Sequence, residues 1–257
     1  MKVYLSSQNG HVGRLLRKYL KKKKFKIISK EEFKSLNEID IFIHNGASTP
    51  PQSKLKLFYS NVFRNFFLLR DLKKKKISIF FFISSISVYG KIEKKKINEQ
   101  TNSKNISFYG FTKKWGENFF SKRLSCNVIC LRLPAILTKG NKNHLLGKLH
   151  DDLKNNKNII LKNHNKIYNS FLSAENLFDF IFSKELNFKK GIINLGIENR
   201  YRLLHIVNLI KKKIKSNSKI IIDKSKTNHF TLNVSKAKKK YSFKPFSLDK
   251  TLNSWLN

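Results

Sequence analysis

The sequence predicts an α/β fold, a doubly wound parallel sheet with a small C-terminal α+β annex, on three observations. Short apolar runs of strand length alternate with segments of helical spacing as far as residue 133. Runs such as ISIFFFIS are apolar almost throughout, as strands covered on both faces are. Beyond Pro134 the alternation loosens, with no Pro- or Ser-rich linker between the two parts.

Lys2–Leu5 is a first strand that ends in a polar, glycine-bearing turn. Val12–Leu20 follows, with Val12, Leu15, Leu16, Tyr19 and Leu20 on one helical face. Phe25–Ile28 is a second strand, Glu31–Leu36 a short helix, and Asp40–His44 a third strand before the loop NGASTPPQ. Phe58–Leu72 reads as a helix and Ile77–Ser84 as a buried strand. A loop through Lys94–Lys96 leads to a helix carrying Tyr109 and Lys113, then to the strand Asn127–Leu133. In the annex Leu145–Leu153, Leu177–Phe182 and Leu203–Ile214 have helical spacing. Ile159–Leu161, Ile192–Leu195 and Ile220–Ile222 are extended, and a last helix packs Leu252, Trp255 and Leu256.

Formal net charge is +38, from 54 basic against 16 acidic residues, which invites a nucleic-acid partner. The lysines, however, fall in short runs (Lys21–Lys24, Lys73–Lys76, Lys94–Lys96, Lys211–Lys213, Lys238–Lys240) at the ends of apolar segments. They do not interleave with aromatics as a base-stacking groove requires. Only eight residues are Arg, the side chain that forks onto phosphates and bases. The charge therefore reads as a solvated surface with weak, salt-sensitive polyanion binding. Cys126 and Cys130 make no disulfide framework or zinc site and read as buried thiols in a reducing cytoplasm. MKVYLSSQNG is too briefly apolar for a signal peptide, and the run at Ile77–Ile83 falls short of a membrane span. The histidines, among them His44, His144, His150, His164 and His205, lack ligand spacing, so no metal site is expected.

Between first strand and first helix stands SSQNGHVG, with Gly10 and Gly13 at G-x-x-G spacing. Glycines there let backbone approach a pyrophosphate and let helix pack on strand. An earlier glycine is replaced by Ser7, which caps or donates but adopts positive φ less readily. About 20 residues on, KIISKEEF offers Glu31 to a ribose 2′-hydroxyl, or Ser29 and Lys30 to a 2′-phosphate; Glu31 as a mere helix opener is equally consistent. NAD and NADP both stay open. ISSISVYG ends the strand ISIFFF at the carboxyl edge where open α/β sheets bind ligands. Tyr109 and Lys113, four apart, share a helix face. An ammonium there is expected to lower the phenol from about 10 and make Tyr109 an acid/base for a carbonyl/alcohol pair, with a serine hydroxyl at the neighbouring strand end to orient the oxygen.

Together these segments resemble the extended short-chain dehydrogenase/reductases, the NAD(P)-dependent sugar-nucleotide epimerases and their relatives. SSQNGHVG is similar to that family's T-G-x-x-G-x-x-G turn and IHNGAST to its H-x-A-A strand end. NVFRNFFLL resembles N-V-x-G-T-x-N-L-L, ISSISVYG matches S-S-x-x-V-Y-G, and Tyr109 and Lys113 fall on Y-x-x-x-K. LRLPAIL, NSFLSAENL and INLG resemble later family segments in the same order. The resemblance implies a Rossmann-type NAD(P)-binding domain over 1–133, to which 165–182 returns, and a smaller substrate-binding region over 134–257. It implies Ser85, Tyr109 and Lys113 as catalytic residues. Around NAD or NADP it implies Ser7, Asn9, Gly10, His11, Val12 and Gly13 in the turn, with Glu31, Asn45, Gly46, Ala47, Asn61 and Lys113. Toward a nucleotide-linked sugar it implies Ser48, Ser87, Pro134 and Ala135, and it suggests a homodimer through the helices near Phe63–Leu69 and Trp115–Phe120.

The departures narrow the expectation. Ile86 and Ser87 stand where dehydratases of the family carry Asp-Glu, so a dehydratase is disfavoured and an epimerase or reductase expected. The short Ser29–Asp40 connection leaves little room for the strand that closes over adenine. Ala135 and Ser173 replace the Asn and His frequent in relatives. The rival reading is a non-catalytic family member that binds RNA or acidic surfaces through its lysines.

Overall fold

The structure is a computed structural model that describes residues 1–92, 95–183, 188–198, 200–225 and 227–256. Lys94, of the run Lys94–Lys96, lies outside the described residues. Six strands form the main sheet: β1 (Lys2–Leu5), β2 (Lys26–Ile27), β3 (Glu38–His44), β4 (Lys76–Ser85), β6 (Asn127–Leu133) and β10 (Gly191–Asn194). Their order is β2-β1-β3-β4-β6-β10 and every neighbouring pair is parallel. The chain steps from β1 to β2 in one direction, then through β3, β4 and β6 in the other. The crevice outside the carboxyl ends of β1 and β3 is thus the switch point where such sheets bind ligands. Among the described residues only β2 lies outside β1 on that side, and none of them adds a further strand over the crevice.

Parallel strands need crossovers, and these bury the sheet on both faces. On one face α1 (His11–Lys22), α7 (Ala174–Ile181) and α9 (Ser235–Tyr241) contribute Leu16, Leu20, Leu177, Phe178 and Tyr241 to a core with Val3, Leu5 and Phe81. On the other, α2 (Lys30–Ser35), α4 (Arg64–Leu72) and α5 (Phe108–Arg123) contribute Phe33, Leu69, Leu72, Phe119 and Phe120. That second core is stacked aromatics: Phe42 and Phe80 lie 5.2 Å apart between ring centroids. The apolar run of β4 follows directly, since Phe80, Phe81 and Phe82 alternate between two dry faces.

The annex has its own core. Leu146, Leu149 and Leu153 of α6 (Leu145–Lys154) pack with Ile206, Val207 and Ile210 of α8 (Leu203–Lys213) and Leu252 and Trp255 of α10 (Leu248–Leu256). Three two-stranded parallel pairs tie the chain together: β5 (Lys96–Ile97) with β12 (Thr231–Leu232), β7 (Ala135–Leu137) with β9 (Phe171–Ser173), and β8 (Ile159–Leu161) with β11 (Ile220–Ile222). The segment that returns to the sheet extends past residue 182: α7 packs on α1, and β10 then forms the sheet edge beside β6.

One helix departs from the periodicity. In place of a single helix over 58–72, α3 (Lys54–Phe58), capped by the Ser53 hydroxyl, runs into a π-helical turn at Tyr59–Phe63 before α4. Asn61 and Asn65 around that turn are both buried. No helix among the described residues is long and apolar enough to cross a membrane.

Candidate active site

The parallel strands end on one edge, which brings the turn after β1, the loop after β3 and the ends of β4 and β6 together. Leu5 pairs with Ile43, and Ser85 with Leu133. A cavity of about 270 Å³ opens there, lined by Ser7, Gly10 and Val12 from the turn, Asn45, Ala47 and Thr49 from the β3 loop, and Ile83, Ser84 and Ser85 from β4. Tyr109 and Lys113 of α5 and Leu133, Pro134 and Ile136 complete the wall. Three residues from separated stretches thus converge on the glycine turn. A second cavity, about 540 Å³, shares Ser7 and Ala47 with the first and continues over Tyr4, Phe33, Gly46, Ser48 and Arg64. Another hollow, about 520 Å³, lies between α7 and the 242–250 segment and contains none of these residues.

The turn fits a pyrophosphate. Gly10 is the N-cap of the 12-residue α1, no side chain caps that helix, and its first turn holds no acidic residue. The first amide N–H groups are therefore left for an anion. A Cβ on Gly13 would run into the Ser7 carbonyl oxygen, so glycine is what lets α1 seat against the turn. Asn45 clamps the turn from the neighbouring strand: its amide donates to Ser7 O at 2.9 Å and its Oδ1 accepts from Ser7 N at 3.2 Å. Gln8 donates to Ile28 O at 3.1 Å and ties the turn to the end of β2.

Ser107 caps α5, its hydroxyl accepting from Gly110 N at 3.1 Å, so Tyr109 stands in the first turn and Lys113 one turn on. Gly110 is the contact point: a Cβ there would meet the Ser87 carbonyl oxygen. The absence of one lets α5 press against the turn that follows β4 and sets Tyr109 beside Ser85. Ser85 in turn caps that turn, accepting from Ser87 N at 3.2 Å and donating to the Ser87 hydroxyl at 3.1 Å.

The electrostatics correct one expectation. Burial pushes the Tyr109 phenol up to about 12, and the polar contact with Ser85 pulls the other way without reversing it; the expected lowering by Lys113 does not appear. The lysine Nζ instead stands over the Phe82 ring, 4.7 Å from its centroid, and burial brings it down to about 8 against the opposing charge of Glu117. Behind Lys113, Glu117 is held by Arg132 through Nε at 2.9 Å and Nη2 at 2.7 Å, and by the Ser84 hydroxyl at 2.5 Å. This buried pair is a feature the spacing of the sequence does not mark.

Further sequence-selected residues sit elsewhere. Asn9 is on the turn but outside both cavities, its carbonyl accepting from Arg14. The backbone of His11 opens α1, and its side chain lies outside the described residues. Glu31 is exposed and lines neither cavity, and Ser29 is spent as the cap of α2, accepting from Glu32 N at 3.1 Å. Asn61 is buried behind the wall, accepting from Ser48 N at 2.8 Å and donating to the Thr112 hydroxyl at 3.1 Å. Ser87 and Ala135 flank the cavity in sequence without lining it. Thr49, Leu133 and Ile136, which do line it, follow the same strand-end logic as their neighbours. Among the described residues no group of three or more His, Cys, Asp or Glu side chains forms a metal cluster.

His44, at the end of β3, is joined to this frame. Its Nδ1 accepts from the Ser6 hydroxyl at 2.8 Å and its Nε2 donates to Asn65 Oδ1 at 3.0 Å, because the Asn65 amide nitrogen already donates to Asn61 O. Burial, then the nearby Lys113 charge, hold the imidazole down to about 3. An unfolded histidine, near 6.5, binds the proton first, so the unfolded state holds more protons between these values. Stability is present above pH 6.5 and lost as pH falls toward 3, by about 2 kcal/mol at pH 5. Urea midpoints at pH 7 and pH 5 check this: His44→Gln should show a smaller drop than wild type, and an equal drop would count against it.

On this fold and geometry the class is defined: the chain belongs to the NAD dependent epimerase/dehydratase family, whose model matches residues 28–187. Among solved structures it is similar to UDP-glucuronic acid 4-epimerase from Bacillus cereus in complex with NAD, at TM-score 0.80 and 18% identity, covering 99% of this chain and 97% of that one. It is also similar to RMD from Pseudomonas aeruginosa complexed with NADPH, at TM-score 0.81 and 14% identity over 100% and 98%. WbmG from Bordetella bronchiseptica, in complex with NAD, gives TM-score 0.81 and 14% identity over 100% and 93%. No curated protein sequence matches the chain.

Proposed function

We propose that this protein is an NAD(P)-dependent epimerase or reductase of a nucleotide-linked sugar. The supporting observation is that Ser85, Tyr109 and Lys113 line one cavity with the uncapped glycine turn. A nicotinamide bound there would accept or supply hydride. At neutral pH the Tyr109 phenol keeps its proton on Oη, so it serves first as the acid that protonates a keto oxygen as that oxygen gains negative charge. The Ser85 hydroxyl orients the same oxygen. In the reverse direction Tyr109 must give up its proton in a buried site, and the Lys113 ammonium is the positive charge on that cavity wall. Lys113, Ser7 and Asn45 are the groups that would hold the dinucleotide's sugar and phosphates, and Pro134, on the wall of the smaller cavity, would face the substrate, whereas Ser48 lines the larger one.

Mixing the protein with reduced dinucleotide and a nucleotide-linked keto-sugar tests this. Loss of the reduced-nicotinamide absorbance marks a reductase; with oxidised dinucleotide and a nucleotide-linked hydroxyl-sugar instead, a new sugar stereoisomer with no net change in the dinucleotide marks an epimerase. Neither outcome, together with tight RNA binding that persists in high salt, would favour the lysine-surface reading instead.

A homodimer is part of the same proposal. Phe58, Tyr59, Phe63, Phe66 and Phe67, on the α3–α4 helical stretch, are each at least 43% exposed, and Phe66 meets Trp115 and Phe119 of α5. Covering the remaining exposed half of each ring against a second copy contributes about 1 kcal/mol per ring. Light scattering should report a dimer that the double variant Phe63→Asp, Phe66→Asp converts to monomer; a wild-type monomer at micromolar concentration would refute it.

A further inference from the structure

We propose that this chain selects NADP(H) over NAD(H), with Lys30, Lys34 and Arg64 receiving the 2′-phosphate of the adenosine ribose. The inference rests on the dinucleotide reading of the cleft and adds which dinucleotide. The two cavities share Ser7 and Ala47, so a dinucleotide with its pyrophosphate on the turn and its nicotinamide end toward Tyr109 extends its adenosine half into the larger one. That half is the basic half. Lys30 and Lys34, one turn apart on α2, and Arg64, at the start of α4, all line it.

Selectivity at this position is a choice between a carboxylate for a ribose hydroxyl and a cation for a phosphate. The carboxylates of this chain are placed against the first choice. Glu31 is exposed and off the wall. Glu32 accepts from Ser29 N at 2.8 Å and pairs with Lys26 at 3.2 Å, closing the capping box of α2. Asp71, the acid that does line the cavity, lies 3.9 Å from Arg70 at the far end of α4. Among the described residues no ion pair engages Lys30, Lys34 or Arg64. Glu31 feels the charges of Lys30 and Lys34 but makes no ion pair with either. Among the described residues only β2 lies beyond β1, and a dianion in this cavity meets three cationic side chains that no ion pair among those residues engages.

Direct titration tests the proposal without turnover. In low salt NADPH should bind at least about tenfold more tightly than NADH, and the preference should shrink as salt is raised. Adenosine 2′,5′-bisphosphate should displace NADPH better than ADP does. The triple variant Lys30→Ala, Lys34→Ala, Arg64→Ala should bring NADPH to the NADH affinity, circular dichroism showing the fold retained. NADH binding as tightly as NADPH would overturn the proposal and leave the dinucleotide reading intact. Binding of neither would overturn both.

Discussion

Tyr109→Phe should lower turnover by about 10²–10⁴-fold while the fold and dinucleotide affinity stay near wild type. The substitution removes one oxygen, and that oxygen is the acid. Burial holds its proton in place at any pH near neutrality, so wild-type keto reduction should show no falling limb from the phenol below about pH 10. Lys113 is different: its ammonium loses its proton through about 8, so activity that needs its charge declines above that pH. Ser85→Ala should cost less than Tyr109→Phe, because Ser85 orients an oxygen that Tyr109 must protonate. A Tyr109→Phe enzyme with wild-type turnover would remove the phenol from the chemistry.

Arg132→Leu should destabilise the protein by about 3–5 kcal/mol, the largest stability loss expected at a polar position. The side chains of Arg132 and Glu117 are only 6% and 2% exposed, and the pair is bidentate. Arg132 also stacks over Tyr89 at 4.8 Å and donates to Glu99 O at 3.2 Å. Removing it leaves the Glu117 carboxylate buried with the Ser84 hydroxyl as its remaining short partner. Glu117→Leu with Arg132→Leu should recover part of the loss, since no unpaired charge then remains. Urea midpoints for the three proteins decide; a single variant within about 1 kcal/mol of wild type would mean that the pair is solvated.

What the sequence could show depended on how local the cause was. Ile159–Leu161 and Ile220–Ile222 are strands with the ends their apolar runs suggest because polar residues bound them, and Asn127–Leu133 ends as expected at Pro134. The π-helical turn at Tyr59–Phe63 left no mark, since apolar spacing does not reveal one extra residue in a turn. Lys96–Ile97 pairs with Thr231–Leu232 far along the chain, and two residues carry no period. The helix Ser235–Tyr241 looked like a solvated lysine run; only Ala237 and Tyr241 reach the core.

The same division holds at the site. Strand-end positions such as Ser7, Asn45 and Ser85 were legible because parallel strands end on one edge. The Tyr109 titration was misjudged because spacing shows a neighbouring charge but not the burial that outweighs it. Arg64 was visible as a lost glycine in NVFRNFFLL, and its meaning emerged only with the pocket it borders. Arg132 was visible within LRLPAIL, but its pairing with Glu117, from α5, gave no signal, because the two are brought together only by the packing of α5 on β6.

A crystal structure with bound dinucleotide tests the central claim most directly. The nicotinamide ring should lie in the smaller cavity, with Tyr109 Oη, Ser85 Oγ and Lys113 Nζ around it, Oη within about 4 Å of where a reacting carbon would sit. A dinucleotide bound elsewhere, or a ring separated from Tyr109 by packed side chains, would contradict the account.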